Sequence, residues 1–413
     1  MIKGFLRKLA PAFAIGAYHY VLAILSAILY GRPSERMVVI GVTGTSGKST
    51  TCYLLARALE ACGARVGMAS TILFKVGEQE RLNDKKMTMV GRFQLQKLLR
   101  GMASADCTHA IIETTSEGIK QYRHAGVHYD VCVFTNLYPE HIESHGSFEN
   151  YRAEKMKLFK KLGACPHKII TGKRIEKAIV VNGEDNGAKQ AAIFPVDRLV
   201  VVRPSAETDL ALRIPGAHMQ INAKLARAVA EVLGFDRAKV TRAIESVTCI
   251  PGRLEQIDEG QSFMVIVDYA FEPRALAKLY EAVTTIPHNR IIHVTGAAGG
   301  GRDRDKRPVV GAFIAQRAQV MIVTNEDPYD EDPEQIINDV AAGADSAPEG
   351  KRAEVLKILD RGEAIARALS LAQPRDLVLV TGKASEQAIV VAGGKRIPWD
   401  DRVVIREALR KML

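Results

Sequence analysis

The stretch that most constrains this chain is residues 37–55, M-V-V-I-G-V-T-G-T-S-G-K-S-T-T-C-Y-L-L. A β-branched apolar run (Val38, Val39, Ile40, Val42) breaks at glycines and passes into a helix-forming segment over 50–59. That is the strand, loop and helix layout of a phosphate cradle. Gly44 and Gly47 let backbone N–H groups face phosphate oxygens, and Lys48 adds a positive charge where a leaving phosphate turns negative. Ser49 offers its hydroxyl to Mg²⁺, while Thr45, Ser46 and Thr50 complete the loop. The implied ligand is a nucleotide. The general pattern asks for glycine at position 42, where Val42 stands, so this is a variant loop. A glycine-rich turn with no ligand is the competing reading.

With 413 residues, 47% of them apolar, the chain is expected to be globular and to form two or three domains. A formal charge of +10 raises nucleic acid as a partner, but the basic residues are spread out with few aromatics beside them. A small polyanionic substrate, a nucleotide or nucleotide-linked sugar, explains the excess without nucleic acid. Six cysteines without a C-x-x-C pair read as reduced thiols of a cytosolic protein. Residues 9–30 form an apolar run, long enough to span a bilayer, with basic residues on both flanks. A cleaved signal is not expected, because the run leads straight into a nucleotide-binding strand that belongs in the cytosol. The alternatives are a membrane-associated helix at the inner face and a helix packed on the protein or on a second subunit.

Farther along, residues 83–88 (N-D-K-K-M-T) read as a substrate loop offering Thr88, followed by a helix over 92–103. Residues 110–113 (A-I-I-E) form a short buried strand with an acid at its carboxyl end, where ligands of open α/β sheets gather, so Glu113 is a metal-ligand candidate. After another buried strand at 131–134, Glu140, His141, Glu143 and His145 crowd one loop. With no cysteine and no helical H-E-x-x-H there, hard-metal work beside a triphosphate fits better than zinc.

The run T-N-L-x-x-E-H-x-x-x-H-G, followed by Y-x-x-x-K-x-x-L-F, resembles the Mur ligase family, in particular its muramoyl-tripeptide synthetase branch. The family's phosphate loop, G-T-N-G-K-T-T against G-T-S-G-K-S-T here, accounts for Val42. The resemblance covers about 38–395. It implies an α/β fold, with a central P-loop ATPase-type domain on a mostly parallel sheet (37–250) and a C-terminal Rossmann-like domain (251–413), after an N-terminal apolar helix (1–36). It implies an ATP-dependent carboxylate–amine ligase of peptidoglycan precursor synthesis that passes through an acyl phosphate. In that reading Lys48, His141 and Lys155 are catalytic, and Ser49, Glu113, His141 and Lys155 hold two Mg²⁺. Lys155 is carbamylated by CO₂ to N6-carboxylysine; without the resemblance it would read as one lysine among several on a basic helix. Asn222, Arg253 in P-G-R-x-E and Asp268 in V-D-Y-A-F-E-P join the loop in holding ATP, with Arg253 at a domain hinge. Thr88, Thr115, Gln121 and Arg123 grip the muramoyl peptide. Asp327, Tyr329, Gly382 and Glu386 meet the incoming amino acid.

Departures from the pattern matter as well. Glu117 replaces a family histidine, Phe271 removes one polar nucleotide contact, and Gly301 replaces an acid. Enzymes adding diaminopimelate have arginine where Tyr329 stands, whereas Glu326, Asp327 and Asp330 suit a cationic side chain. The short apolar helix stands where the family has a UDP-holding domain. That implies a truncated or lipid-linked acceptor, a domain supplied by a partner, or UDP held differently. Folylpolyglutamate synthetases, which share the fold, and a non-catalytic nucleotide-binding scaffold are the competing classes.

Overall fold

The computed structural model describes residues 12–140, 142–206, 209–301, 304–348, 350 and 352–412. The chain divides into two compact units, residues through Arg213 with His218–Val247, and Ile214–Ala217 with Thr248–Leu413.

The first unit is built on the apolar run that precedes the phosphate loop. Every residue of β1 (Val38–Thr43) is buried, as a strand covered on both faces requires. The other strands of its sheet are β2 (Val66–Ala69), β3 (Leu73–Val76), β4 (Gln79–Leu82), β5 (His109–Glu113), β6 (Val131–Phe134), β7 (Ala178–Asn182) and β8 (Arg198–Val202). They lie in the order β8-β7-β6-β1-β5-β2-β3-β4. Pairing is parallel from β8 to β2, and only the β2–β3 and β3–β4 pairs are antiparallel. The sheet is thus the mostly parallel one expected. Its antiparallel edge had no clear sequence signal; the buried ammonium of Lys75 ties it down through Glu60 (2.6 Å) and Glu80 (2.7 Å).

Helix α1 (Ala12–Leu29) seats small residues, Ala23, Ser26 and Ala27, against the protein. A Cβ placed on Gly126 would come within 2.5 Å of the Ala23 carbonyl. The run is therefore packed on its own protein along one side. No helix among the described residues is long and apolar enough to cross a membrane. Helix α2 (Lys48–Ala61) follows the phosphate loop and stops where the N–H groups of Cys62 and Gly63 return to Leu59 and Glu60, a glycine stop. Helices α3 (Arg92–Ser104), α4 (Ser116–Lys120), α5 (Phe148–Ala164), α6 (Ala217–Val232) and α7 (Arg237–Ser246) complete the unit's main elements. All six cysteines are free.

The second unit holds a sheet of β9 (Glu255–Ile257), β10 (Met264–Asp268), β11 (Ile291–Thr295), β12 (Val320–Val323), β13 (Glu354–Lys357) and β14 (Leu377–Thr381). Their order is β9-β10-β14-β11-β12-β13, and every pair but β9–β10 is parallel. This is the Rossmann-like α/β arrangement expected. Helix α8 (Arg361–Leu371) is fixed by Arg361, whose buried guanidinium makes two hydrogen bonds (2.7 and 2.8 Å) to Asp401.

Under this sheet His293 is fully buried between the Tyr280 hydroxyl at Nδ1 and the Thr381 hydroxyl at Nε2, each 2.9 Å away. Burial pushes its pKa from 6.5 down to about 3. The unfolded chain therefore binds a proton there below pH 6.5 that the folded unit refuses. The resulting stability is present above that pH and is lost as pH falls through the interval down to about 3. Acid titration of thermal unfolding should show this loss, and His293→Gln should flatten it.

Candidate active site

The carboxyl ends of β1, β5, β6 and β7 bring the candidate residues of the first unit together. Gly44 leaves β1 at φ +151°, and a Cβ there would sit 1.9 Å from the Thr135 hydroxyl oxygen just past β6. Gly47 turns at φ +80°, with its vacant side pressed on Asn222 of α6, whose Oδ1 lies 2.2 Å from where a Cβ would be. Asn136 accepts from Ser46 N–H at 2.9 Å through its side chain, and its carbonyl accepts from Thr45 N–H at 2.9 Å. Asn182 in turn donates to the Thr135 carbonyl at 3.1 Å. Neighbours from β6, β7 and α6 thus brace the loop. Lys48 Nζ donates to the Thr45 carbonyl at 2.8 Å.

Glu113, at the end of β5, is buried and accepts from the Ser49 hydroxyl at 2.9 Å. Its second oxygen accepts from the N–H and hydroxyl of Thr71, at 2.7 and 3.0 Å, and Thr71 meets the Thr88 hydroxyl at 2.8 Å. One chain of hydrogen bonds therefore links the phosphate loop, the strand-end acid and the substrate loop. A hydroxyl and a carboxylate at the mouth of a phosphate loop suit Mg²⁺, which takes one or two protein oxygens and completes its shell with water and phosphate.

Lys155 projects from α5 into this centre. It is buried, donates to the Gly44 carbonyl at 2.7 Å, and lies 4.5 Å above the Tyr151 ring, whose hydroxyl meets Thr45 at 3.1 Å. Burial and the neighbouring Lys48 charge hold its amine well below the usual lysine range, against the opposite pull of Glu140 and Glu113. His141 lies outside the described residues. His145 is buried beside Tyr151, their ring centroids 5.3 Å apart, and neither of its ring nitrogens finds a hydrogen-bond partner among the described residues. Among those residues no group of three or more His, Cys, Asp or Glu side chains could hold a metal.

The acceptor candidates form a second patch of the same unit. The Thr115 hydroxyl caps α4 by accepting from Gly118 N–H at 3.1 Å. Gln121 bridges Glu117 (2.7 Å) and Arg123 (2.7 Å), and Arg123 also donates to the Met89 carbonyl. Arg92 donates to the Gln121 carbonyl at 3.3 Å and meets His19 of α1, while Tyr20 packs edge-on to Tyr122. The N-terminal helix therefore borders the acceptor candidates.

In the second unit, buried Lys383 donates to Asp327 and to Glu386, each at 2.8 Å, and Glu386 accepts from Tyr269 at 3.2 Å. The Arg253 guanidinium lies 4.5 Å over the Tyr269 ring, so Arg253, Glu386 and Asp327 belong to one network. Gly382, at φ +102°, leaves room for Glu326, whose Oε2 lies 2.3 Å from a Cβ placed there. Burial raises the Glu326 carboxyl to about 7. Asp268 is engaged by backbone, accepting from Leu254 and Ala270 N–H at 2.8 Å. Tyr329 turns at φ 52° and donates its N–H to the Val390 carbonyl at 3.1 Å.

Residues 42–230 match the Mur ligase middle domain, and residues 252–384 match the Mur ligase glutamate ligase domain. The chain belongs to the Mur ligase family. A UDP-N-acetylmuramyl-tripeptide synthetase of Roseiflexus sp. is 37% identical across 97% of this chain and 84% of that protein. A diaminopimelate ligase of Corynebacterium efficiens is 35% identical across 97% of this chain and 79% of its own. Among solved structures, a UDP-N-acetylmuramoyl-L-alanyl-D-glutamate–2,6-diaminopimelate ligase superposes with a TM-score of 0.58 at 26% identity, covering 91% of this chain and 79% of that one. Folylpolyglutamate synthase of Mycobacterium tuberculosis, complexed with ADP, gives 0.69 at 18% identity, covering 95% and 94%, a likeness of fold alone. Mur ligases are ATP-dependent enzymes that form amide bonds with the help of Mg²⁺, and the relatives above 30% identity are muramoyl-peptide ligases.

Several residues of this Mur ligase site escaped sequence reasoning. Thr71 carries no local signal, since it matters only through Glu113 and Thr88, while Asn136 and Tyr151 stand in the quoted family motifs but were given no role there. Lys383 did carry a local signal, as a lysine two residues past the apolar strand β14 in L-V-L-V-T-G-K.

Proposed function

We propose that this chain is an ATP-dependent ligase that adds an amino acid to the carboxylate of a muramoyl peptide, with or without its UDP group, in peptidoglycan precursor synthesis. The observation that carries this is the convergence of Ser49, Glu113 and a buried, weakly basic Lys155 on one phosphate loop. A carboxylate does not yield an amide in water until one of its oxygens becomes a good leaving group. Transfer of the γ-phosphoryl of ATP to the acceptor carboxylate gives an acyl phosphate and ADP. The neutral amine of the amino acid then attacks the acyl carbon, the C–O bond breaks, phosphate leaves and one proton is lost from nitrogen.

Two anions meet in the first step, so positive charge must be concentrated there. Gly44, Thr45, Ser46, Gly47, Ser49 and Thr50 present the loop to the phosphates, and Lys48 swings from the Thr45 carbonyl to the transferred group. Ser49 and Glu113 would hold one Mg²⁺, and His141 with carbamylated Lys155 a second. Bound there, the metal supplies charge against phosphate and carboxylate oxygens. Lys155 suits carbamylation because burial and the Lys48 charge favour its neutral amine: the nitrogen lone pair adds to CO₂, one proton leaves, and the amine becomes an anionic oxygen ligand. Asn222, Arg253 and Asp268 complete the ATP site. Thr88, Thr115, Gln121 and Arg123 position the acceptor, while Asp327, Tyr329, Gly382 and Glu386 meet the amino acid. The use of ATP supports a cytoplasmic reaction, and the exposed apolar side of α1 supports a peripheral contact with the inner face of the membrane.

Phosphate release should require ATP, a UDP-muramoyl dipeptide and an amino acid together, with product followed by mass. Diaminopimelate should be a poor substrate beside amino acids with a cationic side chain, because Tyr329 offers no guanidinium to its distal carboxylate. Absence of turnover with every amino acid tried would overturn the ligase reading.

A further inference from the structure

Helix α1 is apolar all round, yet only one side of it is covered. Ala23 (1%), Ser26 (0%) and Ala27 (7%) face the protein, whereas Tyr18 (61%), Val21 (51%), Leu25 (46%), Ile28 (50%) and Leu29 (73%) are open. Positions 18, 21, 25, 28 and 29 follow helical spacing and form one continuous stripe. Scattered exposed leucines are ordinary, but a contiguous apolar stripe marks a surface that meets something.

Charge indicates what it meets. Arg32 and Arg36 are exposed just past the helix, and Lys97 and Arg100 are exposed on α3, the Arg100 guanidinium reaching within 3.4 Å of where a Gly31 Cβ would lie. Against these four cations stands one acid, Glu35. In sequence Lys3, Arg7 and Lys8 precede the helix, so both ends of the apolar segment are basic. A second copy of the chain would bring basic ends against basic ends whether the helices paired parallel or antiparallel. A surface that is apolar inside and anionic at its headgroups satisfies the stripe and both ends at once.

We infer that α1 lies in the plane of an anionic lipid bilayer, with Tyr18, Val21, Leu25, Ile28 and Leu29 sunk to the depth of the acyl-chain boundary and Arg32, Arg36 and Arg100 among the headgroups. The inference rests on the peripheral-contact reading of this helix and is independent of the ligase assignment. It also places the acceptor candidates, which α1 borders through Arg92 and Tyr122, close to that surface.

The test is flotation of the full-length protein with vesicles of phosphatidylcholine mixed with phosphatidylglycerol, against vesicles of phosphatidylcholine alone. The protein should float with the mixed vesicles and far less with the neutral ones, and added salt should reduce binding. The triple variant Val21→Ser, Leu25→Ser, Ile28→Ser should lower the bound fraction at least about tenfold, because each substitution removes an apolar side chain from the buried stripe. These positions are exposed, so the variant should keep wild-type thermal unfolding and vesicle-free ligase turnover. Failure of the wild-type protein to float with either vesicle would overturn the inference, as would flotation that the triple variant leaves unchanged. A wild-type dimer that the triple variant dissolves, with no flotation, would overturn it in favour of a second copy. Ligase turnover is read separately, so a floating but inactive protein would count against the function alone.

Discussion

Lys155→Ala is expected to lower kcat by about a thousandfold, in line with removal of one preorganised charge from a water-excluded centre. The native amine is buried and held well below the usual lysine range by burial and by Lys48, with its nitrogen 2.7 Å from the Gly44 carbonyl. A plain ammonium there would repel both Lys48 and a metal, whereas a carbamate would attract them. Alanine removes either, so folding must be checked by thermal unfolding and ATP affinity measured apart from turnover. Formate or acetate should restore part of the rate by placing a carboxylate in the vacated space. Labelled bicarbonate should give a carbamate signal in the wild-type protein that is missing from the variant. Since carbamate forms from the neutral amine, activity should fall as acid protonates that amine. A variant with wild-type kcat would refute the role, and a wild-type rate indifferent to CO₂ depletion would refute the carbamate.

Glu113→Gln is expected to cost two to three orders of magnitude, roughly 3–4 kcal/mol, in kcat/KM for ATP while leaving the fold intact. An amide can keep the geometry: its oxygen still accepts from Thr71, and its NH₂ donates to the Ser49 oxygen in place of the present Ser49-to-Glu113 bond. Only the charge is lost. The requirement for Mg²⁺ should therefore move to higher concentration at unchanged thermal stability, a pairing that a purely structural glutamate would not produce. Equal activity in the two proteins would remove Glu113 from the metal site.

Physical locality explains which of these groups could be read from the chain. The phosphate loop was legible because strand, glycines, lysine and helix are contiguous, and Glu113 because an acid ending a buried strand is conspicuous. Lys155 was legible only through the family motif, since Lys157, Lys160 and Lys161 disguise it as part of a basic face. Yet the buried residues of α5 are Tyr151, Lys155, Leu158, Phe159 and Leu162. That is the apolar stripe of an amphipathic helix, and a lone lysine upon it was the available sign. Thr71 offered none, because its importance lies in contacts across the sheet. The β3–β4 edge escaped because strands of four residues, joined by a tight turn, leave too short an alternation to recognise.

The packing of Asn222 against Gly47 carries a consequence for how the protein is made. The prop of the phosphate loop is encoded 171 residues after Thr51, the loop-side residue whose hydroxyl meets the Asn222 side chain. On a ribosome moving at roughly 5–20 residues per second, the loop is out for on the order of ten to thirty seconds before its prop is synthesised. Nascent chains halted before α6 should thus be unable to retain ATP, although every residue of the loop is already present. Nucleotide binding should then begin only with the arrival of this helix, about half-way through translation.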